Sequence, residues 1–153
     1  MNLIKIMYFK GMVFLITAVF FFSSCEEPPP PINENYIVLE NYELMVMRKD
    51  MGKNTWSGAC SICEQLRFGG FFDWRLPTQA ELLIMYNERN NIGGFDTFNN
   101  IRYWSSTPYI GGFYVCLNFT TGQIENYIDN PNHQPLAFRC VRDSSPSLTS
   151  VIK

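Results

Sequence analysis

The sequence predicts an α+β domain: two helices followed by a meander of strands that form a mostly antiparallel sheet. Three observations predict it. Apolar residues between Trp56 and Arg67 recur at spacings of three and four. Thr78 and Glu81 mark the start of a second helix. From Arg102 onward the period changes to the alternation of strands.

Taken in order, Tyr36–Leu39 and Glu43–Arg48 alternate well enough for two short strands, and Asp50-Met-Gly-Lys-Asn54 reads as a turn. The first helix carries Trp56, Ala59, Cys60, Cys63 and Leu66 on one side. Cys60 and Cys63 therefore point to nearly the same face, and each can reach a different strand. Gly69-Gly70 is expected to end this helix. Pro77 disfavours a helical Leu76, so the second helix cannot begin earlier. Thr78 and Glu81 form a capping box, which accounts for both residues without catalysis. Leu82, Leu83, Met85 and Tyr86 supply its apolar face, and it fades across Asn87–Asn91 before Gly93-Gly94. Arg102–Ser106 is a short strand; Phe113–Phe119 and Ile124–Ile128 form a hairpin around Thr120-Thr-Gly-Gln123. Asp129–Pro135 is an irregular loop, and Leu136–Arg142 is a closing strand.

Composition changes most abruptly at the N-terminus. Lys5 and Lys10 precede an uncharged run from Gly11 to Ser24. The apolar stretch is too short for a membrane span, which needs roughly 20 residues, and reads as a secretory signal over residues 1–24. Phe22-Ser-Ser-Cys25 resembles the lipobox of bacterial lipoproteins, with Phe22 standing where an aliphatic residue is usual. The resemblance implies acylation of the Cys25 thiol and a membrane partner through that lipid. Residues 25–35 then form a tether in which Pro28–Pro31 hold a stiff polyproline conformation. Glu26-Glu27 after the lipidated cysteine resemble a surface-export signal of some Gram-negative lipoproteins. The expected location is the cell envelope, at the outer membrane. Residues 36–143 suffice for one domain, and the serine-rich residues 144–153 read as a frayed tail.

Loss of Lys5 and Lys10 with the signal leaves the chain two charges more negative than its full-length value of −2. No basic stripe remains, which argues against a nucleic-acid partner. Cys60, Cys63, Cys116 and Cys140 are an even set in an exported domain and read as two disulfides. A zinc site would want a second close pair or nearby histidines, and His133 is the only histidine. A thioredoxin-like pair would want a βαβ context that the sequence lacks. No metal or other cofactor is expected.

Several ordered motifs carry a family resemblance: Trp56, Cys63-Glu-Gln-Leu66, Asp73-Trp-Arg-Leu-Pro-Thr78 with Glu81-Leu82, Tyr103-Trp-Ser-Ser-Thr107 and Phe138-Arg-Cys-Val-Arg142. Over about residues 42–143 the chain resembles the Lcl C-terminal domain family, long described as a domain of unknown function. The resemblance implies a C-type-lectin-like fold, distantly similar to formylglycine-generating enzymes, which share a similar Arg-Leu-Pro-Thr-x-x-Glu segment. It also implies a bridge from the first helix to the last strand, Cys63–Cys140, which leaves Cys60–Cys116 as the second pair. Trp56, Trp74 and Trp104 are expected to dominate the core. Arg75, Arg139 and Arg142 are expected to form structural ion pairs with Asp73, Glu81 or Asp143.

No catalytic residue is assigned. His133 sits in a Pro/Asn loop with no flanking motif, too little for a triad. Formylglycine-generating activity would need free reactive cysteines, and all four are expected in bridges. The acidic residues lie mostly in turns and caps, which does not suit glycoside hydrolysis. A non-enzymatic binding module is expected instead. Tyr109, Tyr114, Tyr127, Asn130, Asn132, His133 and Gln134 are its candidate contacts, in two aromatic and amide-rich segments that suit sugar rings and hydroxyls. The expected ligand is a glycan or an envelope or host protein; some members of the family are adhesins that bind glycans or glycosaminoglycans. A structural or protein-binding envelope subunit is the alternative, and a formylglycine-generating-type enzyme a remote one.

Overall fold

A computed structural model describes residues 34–144. The expected signal, Cys25 lipidation, most of the Pro-rich tether and the tail lie outside the described residues. The domain is α+β, with three helices packed on two sheets. Strands β1 (Tyr36–Leu39), β2 (Leu44–Met47) and β8 (Val141–Asp143) form an antiparallel sheet in the order β1-β2-β8. Strands β3 (Lys53–Asn54), β4 (Arg102–Pro108), β5 (Phe113–Asn118), β6 (Ile124–Ile128) and β7 (Leu136–Ala137) form the second, in the order β3-β7-β4-β5-β6. Among the described strands, only the β4–β7 contact is parallel.

Alternation along β4 and β5 builds the core on both faces of the larger sheet. Tyr103 and Leu117 face one buried cluster, with Leu82 and Met85 of α2 (Gln79–Asn87) and Ile92 of α3 (Arg89–Ile92). Their neighbours Trp104 and Cys116 face the other, with Ala59 and Cys63 of α1 (Trp56–Gln65), Trp74 and Phe138. Trp74 and Trp104 are fully buried, as expected, whereas Trp56 is only partly so.

Several boundaries differ from the sequence reading. Helix α1 stops at Gln65 because Leu66 turns to an extended conformation, before the expected glycine stop. Gly69-Gly70 instead makes the turn of a Phe68–Phe71 bridge. The expected turn at 50–54 ends in β3, and the fading end of the second helix becomes α3. The expected closing strand is two strands on different sheets, because the chain leaves the larger sheet after Ala137 and enters the smaller at Val141. Between them Arg139 turns to Asp50 and Cys140 to Cys63.

The Cys63–Cys140 disulfide closes 77 residues of sequence and ties α1 to this crossing. Such a bridge contributes about 2–4 kcal/mol. The Cys60–Cys116 bridge is not formed; both thiols are free. Helix α1 packs chiefly against β3 and β4, and Cys116 lies one strand further on, in β5. An even cysteine count in an exported chain suggested the pair, but Cys116 sits on a strand that α1 does not chiefly contact.

The ion pairs are as expected for Arg142 with Asp73 and for Arg75 with Glu81 and Asp143, but Arg139 takes Asp50. The capping box at α2 is complete: Glu81 N donates to Thr78 Oγ1 at 3.3 Å, and Thr78 N donates to Glu81 Oε2 at 2.7 Å. Arg75 grips both Glu81 oxygens at 2.7 and 2.8 Å. Burial pushes the Glu81 carboxyl upward, but the hydrogen bonds from Arg75 and Thr78 and the Arg75 charge hold it below the usual carboxylate range. A lowered folded value means stability that is complete above the unfolded value near 4.3 and lost as pH falls through the folded one. Glu81→Gln should therefore cost about 1 kcal/mol at neutral pH and flatten the acid limb of the stability curve. Urea unfolding between about pH 6 and about pH 3 checks this, and parallel curves for the two proteins would contradict it.

Candidate functional site

The two segments singled out in the sequence meet at one end of the larger sheet. Antiparallel register pairs Phe113 with Ile128 and Tyr114 with Tyr127. Asp129 N then donates to Gly112 O at 3.4 Å, so the β4–β5 connection lies against the start of the β6–β7 loop. The β4–β5 connection is tight: its register shifts between Trp104 and Pro108, and Tyr109 N donates to Phe113 O at 2.7 Å. Gly111 and Gly112 adopt φ values of 69° and 78°, a conformation that glycine takes without steric cost. Above this turn Tyr109 is 51% exposed, Ile110 76% and Phe113 38%. These three side chains form an apolar crest.

The other predicted contacts divide into those the fold uses and those it leaves to solvent. Tyr114 stacks on Trp56 with ring centroids 3.5 Å apart, and Trp56 Nε1 donates to Ser105 O at 2.8 Å. Tyr127 packs edge-on against Trp104 and His133. Both tyrosines are half-buried and serve as wall rather than platform. Asn130 Oδ1 accepts from Asn132 N at 2.9 Å and Asn130 O from His133 N at 3.0 Å, so Asn130 shapes the loop. The side chains of Asn132, His133 and Gln134 are exposed beyond it.

Asp129 is the residue that sequence reasoning missed. Its Oδ1 accepts from Trp56 N at 2.9 Å and its Oδ2 from Ser57 N at 3.3 Å. It thus caps the first turn of α1 beside Thr55, whose Oγ1 accepts from Gly58 N at 3.2 Å. A carboxylate at a helix N-terminus is favoured by both the free amides and the helix dipole. No local signal could have found this cap, because the partners stand 73 residues apart in sequence. Asp129 is therefore the link between the β6–β7 loop and the helix that carries the disulfide.

Two shallow clefts lie elsewhere on the described domain. Gln134 lines one of about 80 Å³ with Lys53, Asn99, Asn100 and Arg102. Another of about 170 Å³ lies between Val38–Tyr42 and Glu88–Asn91. Small-molecule pockets run from roughly 300 to 1,000 Å³, so neither of these two clefts would enclose a drug-sized ligand. Among the described residues no three His, Cys, Asp or Glu side chains converge as metal ligands. Burial raises the Cys60 thiol to about 11, with Glu64 and Asp129 adding to it. Burial likewise raises Cys116 to about 12. Neither thiol is ionised near neutrality, the opposite of the depressed value a thiolate nucleophile uses.

The Lcl C-terminal domain family model matches residues 33–142. No curated protein matches the chain.

Asp129→Ala should cost about 1 kcal/mol by uncapping α1, within the range of about 0.5–2 kcal/mol for lost caps. It should also free the β6–β7 loop, which Trp56 fluorescence together with urea unfolding would register. A variant as stable as the parent would remove Asp129 from this role.

Proposed function

The chain belongs to the Lcl C-terminal domain family, and from that premise we propose that it is a lipid-anchored protein of the outer membrane whose domain is a non-enzymatic, adhesin-like binding module with a C-type-lectin-like fold. The observation that carries the binding reading is the exposed crest of Tyr109, Ile110 and Phe113, where the β4–β5 connection lies against the start of the β6–β7 loop. A flat aromatic ring with amide donors nearby suits the apolar face and hydroxyls of a sugar, and the rigid sheet beneath limits the entropy lost on binding. The anchor reading rests on the positive, apolar and Ser-Ser-Cys25 order at the N-terminus and on the proline tether behind it.

A protein ligand is the second reading, and the aliphatic exposure of Ile110 favours it. An exposed branched aliphatic beside two aromatics matches the core of protein interfaces better than it matches sugar.

A glycan array probed with the chain from Glu26 onward, with calcium and with chelator, tests the first reading. Reproducible binding that is lost in Tyr109→Ala or Asn132→Ala is the expected result. A blank array from protein containing the Cys63–Cys140 bridge would contradict the glycan assignment and leave the protein ligand, to be sought by pull-down from envelope extracts.

The anchor is tested separately by Cys25→Ser. The variant should appear in the soluble fraction, whereas unchanged sedimentation with membranes would refute lipidation.

A further inference from the structure

We propose that β6 is a self-association edge through which two copies of this chain join their larger sheets across a two-fold axis at Asn126. The hydrogen-bond parity of the strand leads to this. Asn118 N donates to Gln123 O, and Asp129 N donates to Gly112 O. These bonds fix the even members of β5 as those facing β6, so Glu125 and Tyr127 bond inward to Cys116 and Tyr114. On the other side of β5, Phe119 N donates to Ile101 O, which agrees with the same parity. The amides and carbonyls of Ile124, Asn126 and Ile128 therefore point outward, away from the sheet.

An outward row of this kind is a template for another strand. Of the outer strands β1, β3, β6 and β8, β6 is the longest, at five residues. It pairs with β5 in unbroken register and contains no proline, lysine or bulge. Those are the usual devices that keep an edge from pairing. Its one charge, Glu125, is already neutralised by Arg102 at 2.6 Å.

The sequence Ile124-Glu-Asn-Tyr-Ile128 favours its own copy as the partner. With Asn126 opposite Asn126 of the second copy, Ile124 falls opposite Ile128 and Glu125 opposite Tyr127. Every outward amide meets an outward carbonyl, isoleucine meets isoleucine, and no like charges face each other. Ile124 is 45% exposed and gains apolar cover in the pairing. The two-fold axis sets the two crests at opposite ends of the joined sheet.

Register-specific cross-linking of the full chain in its membrane tests this. Across such a pair the Asn126 Cα atoms stand about 5.5 Å apart, within disulfide reach. Ile124 lies about 14 Å along the strand from its own counterpart. Mild oxidation should link Asn126→Cys into a species of twice the mass. Ile124→Cys and Ile128→Cys should each stay single, yet link when co-expressed. Absence of the Asn126→Cys band, or equal linking by all three variants, would overturn the proposal. Asn126→Pro removes an outward amide and leaves the ladder to β5 intact. It should abolish co-purification of two differently tagged copies, and unchanged co-purification would equally overturn the proposal. Should that variant fail to fold, the cysteine register still decides.

Discussion

A guanidinium with no exposed surface is the constraint on which the rest of the domain depends. The Arg139 side chain is 0% exposed, and an unmatched charge there would cost several kcal/mol. Burial pulls its pKa down, and the Asp50 carboxylate opposes that pull. The match comes from two separate stretches of chain. Nε and Nη2 donate to Asp50 Oδ1 at 2.9 and 2.6 Å, while Nη1 and Nη2 donate to Gly93 O and Gly94 O at 2.9 and 2.8 Å. The Phe95 ring covers the cation at 3.5 Å. Tyr103 Oη donates to the second Asp50 oxygen, so the same acid also holds the first residue of the β4 core. Gly94 has φ of 70°, and a Cβ there would meet Arg48 O at 2.5 Å; the site therefore requires glycine on packing as well as backbone grounds.

The segment around Arg139 carries the other long-range ties. Cys140 bonds to Cys63, Val141 exchanges backbone hydrogen bonds with Arg75, and Arg142 donates twice to Asp73 while lying over the Phe71 ring. Four consecutive residues thus hold both sheets, α1 and the segment before α2. The frame continues to the crest. Gln79 N donates to Thr107 Oγ1 and Ser106 N to Pro77 O, which ties the end of β4 to the start of α2. Asp129 ties the other loop to α1.

Local rules made much of this legible in sequence. The α2 capping box spans four residues, and its hydrogen bonds were readable from Thr78 and Glu81 alone. Helix α1 and the β5–β6 hairpin followed from period and turn chemistry, and the two segments that meet at the crest were both visible as aromatic and amide-rich stretches. What stayed hidden depends on partners distant in sequence. Asp50 and Arg139 stand 89 residues apart, and nothing beside either announces the other. The same holds for Asp129 and Trp56. Aromatic composition also could not separate Tyr109, which is exposed, from Tyr114 and Tyr127, which are spent on Trp56 and Trp104. Cysteine parity was the least reliable guide, because a count carries no distance.

The central claim is that a locked closing segment holds a crest open to solvent, and native-state amide hydrogen exchange tests it most directly. The amides of Met47, Met51, Arg75 and Val141, each bonded across segments, should exchange only with global unfolding. Those of Ile110, Gly111 and His133 should exchange by local opening, many orders faster. Exchange of the Val141 and Arg75 amides at the rate of the crest would contradict the account, because the segment would then not be the lock on which the rest depends.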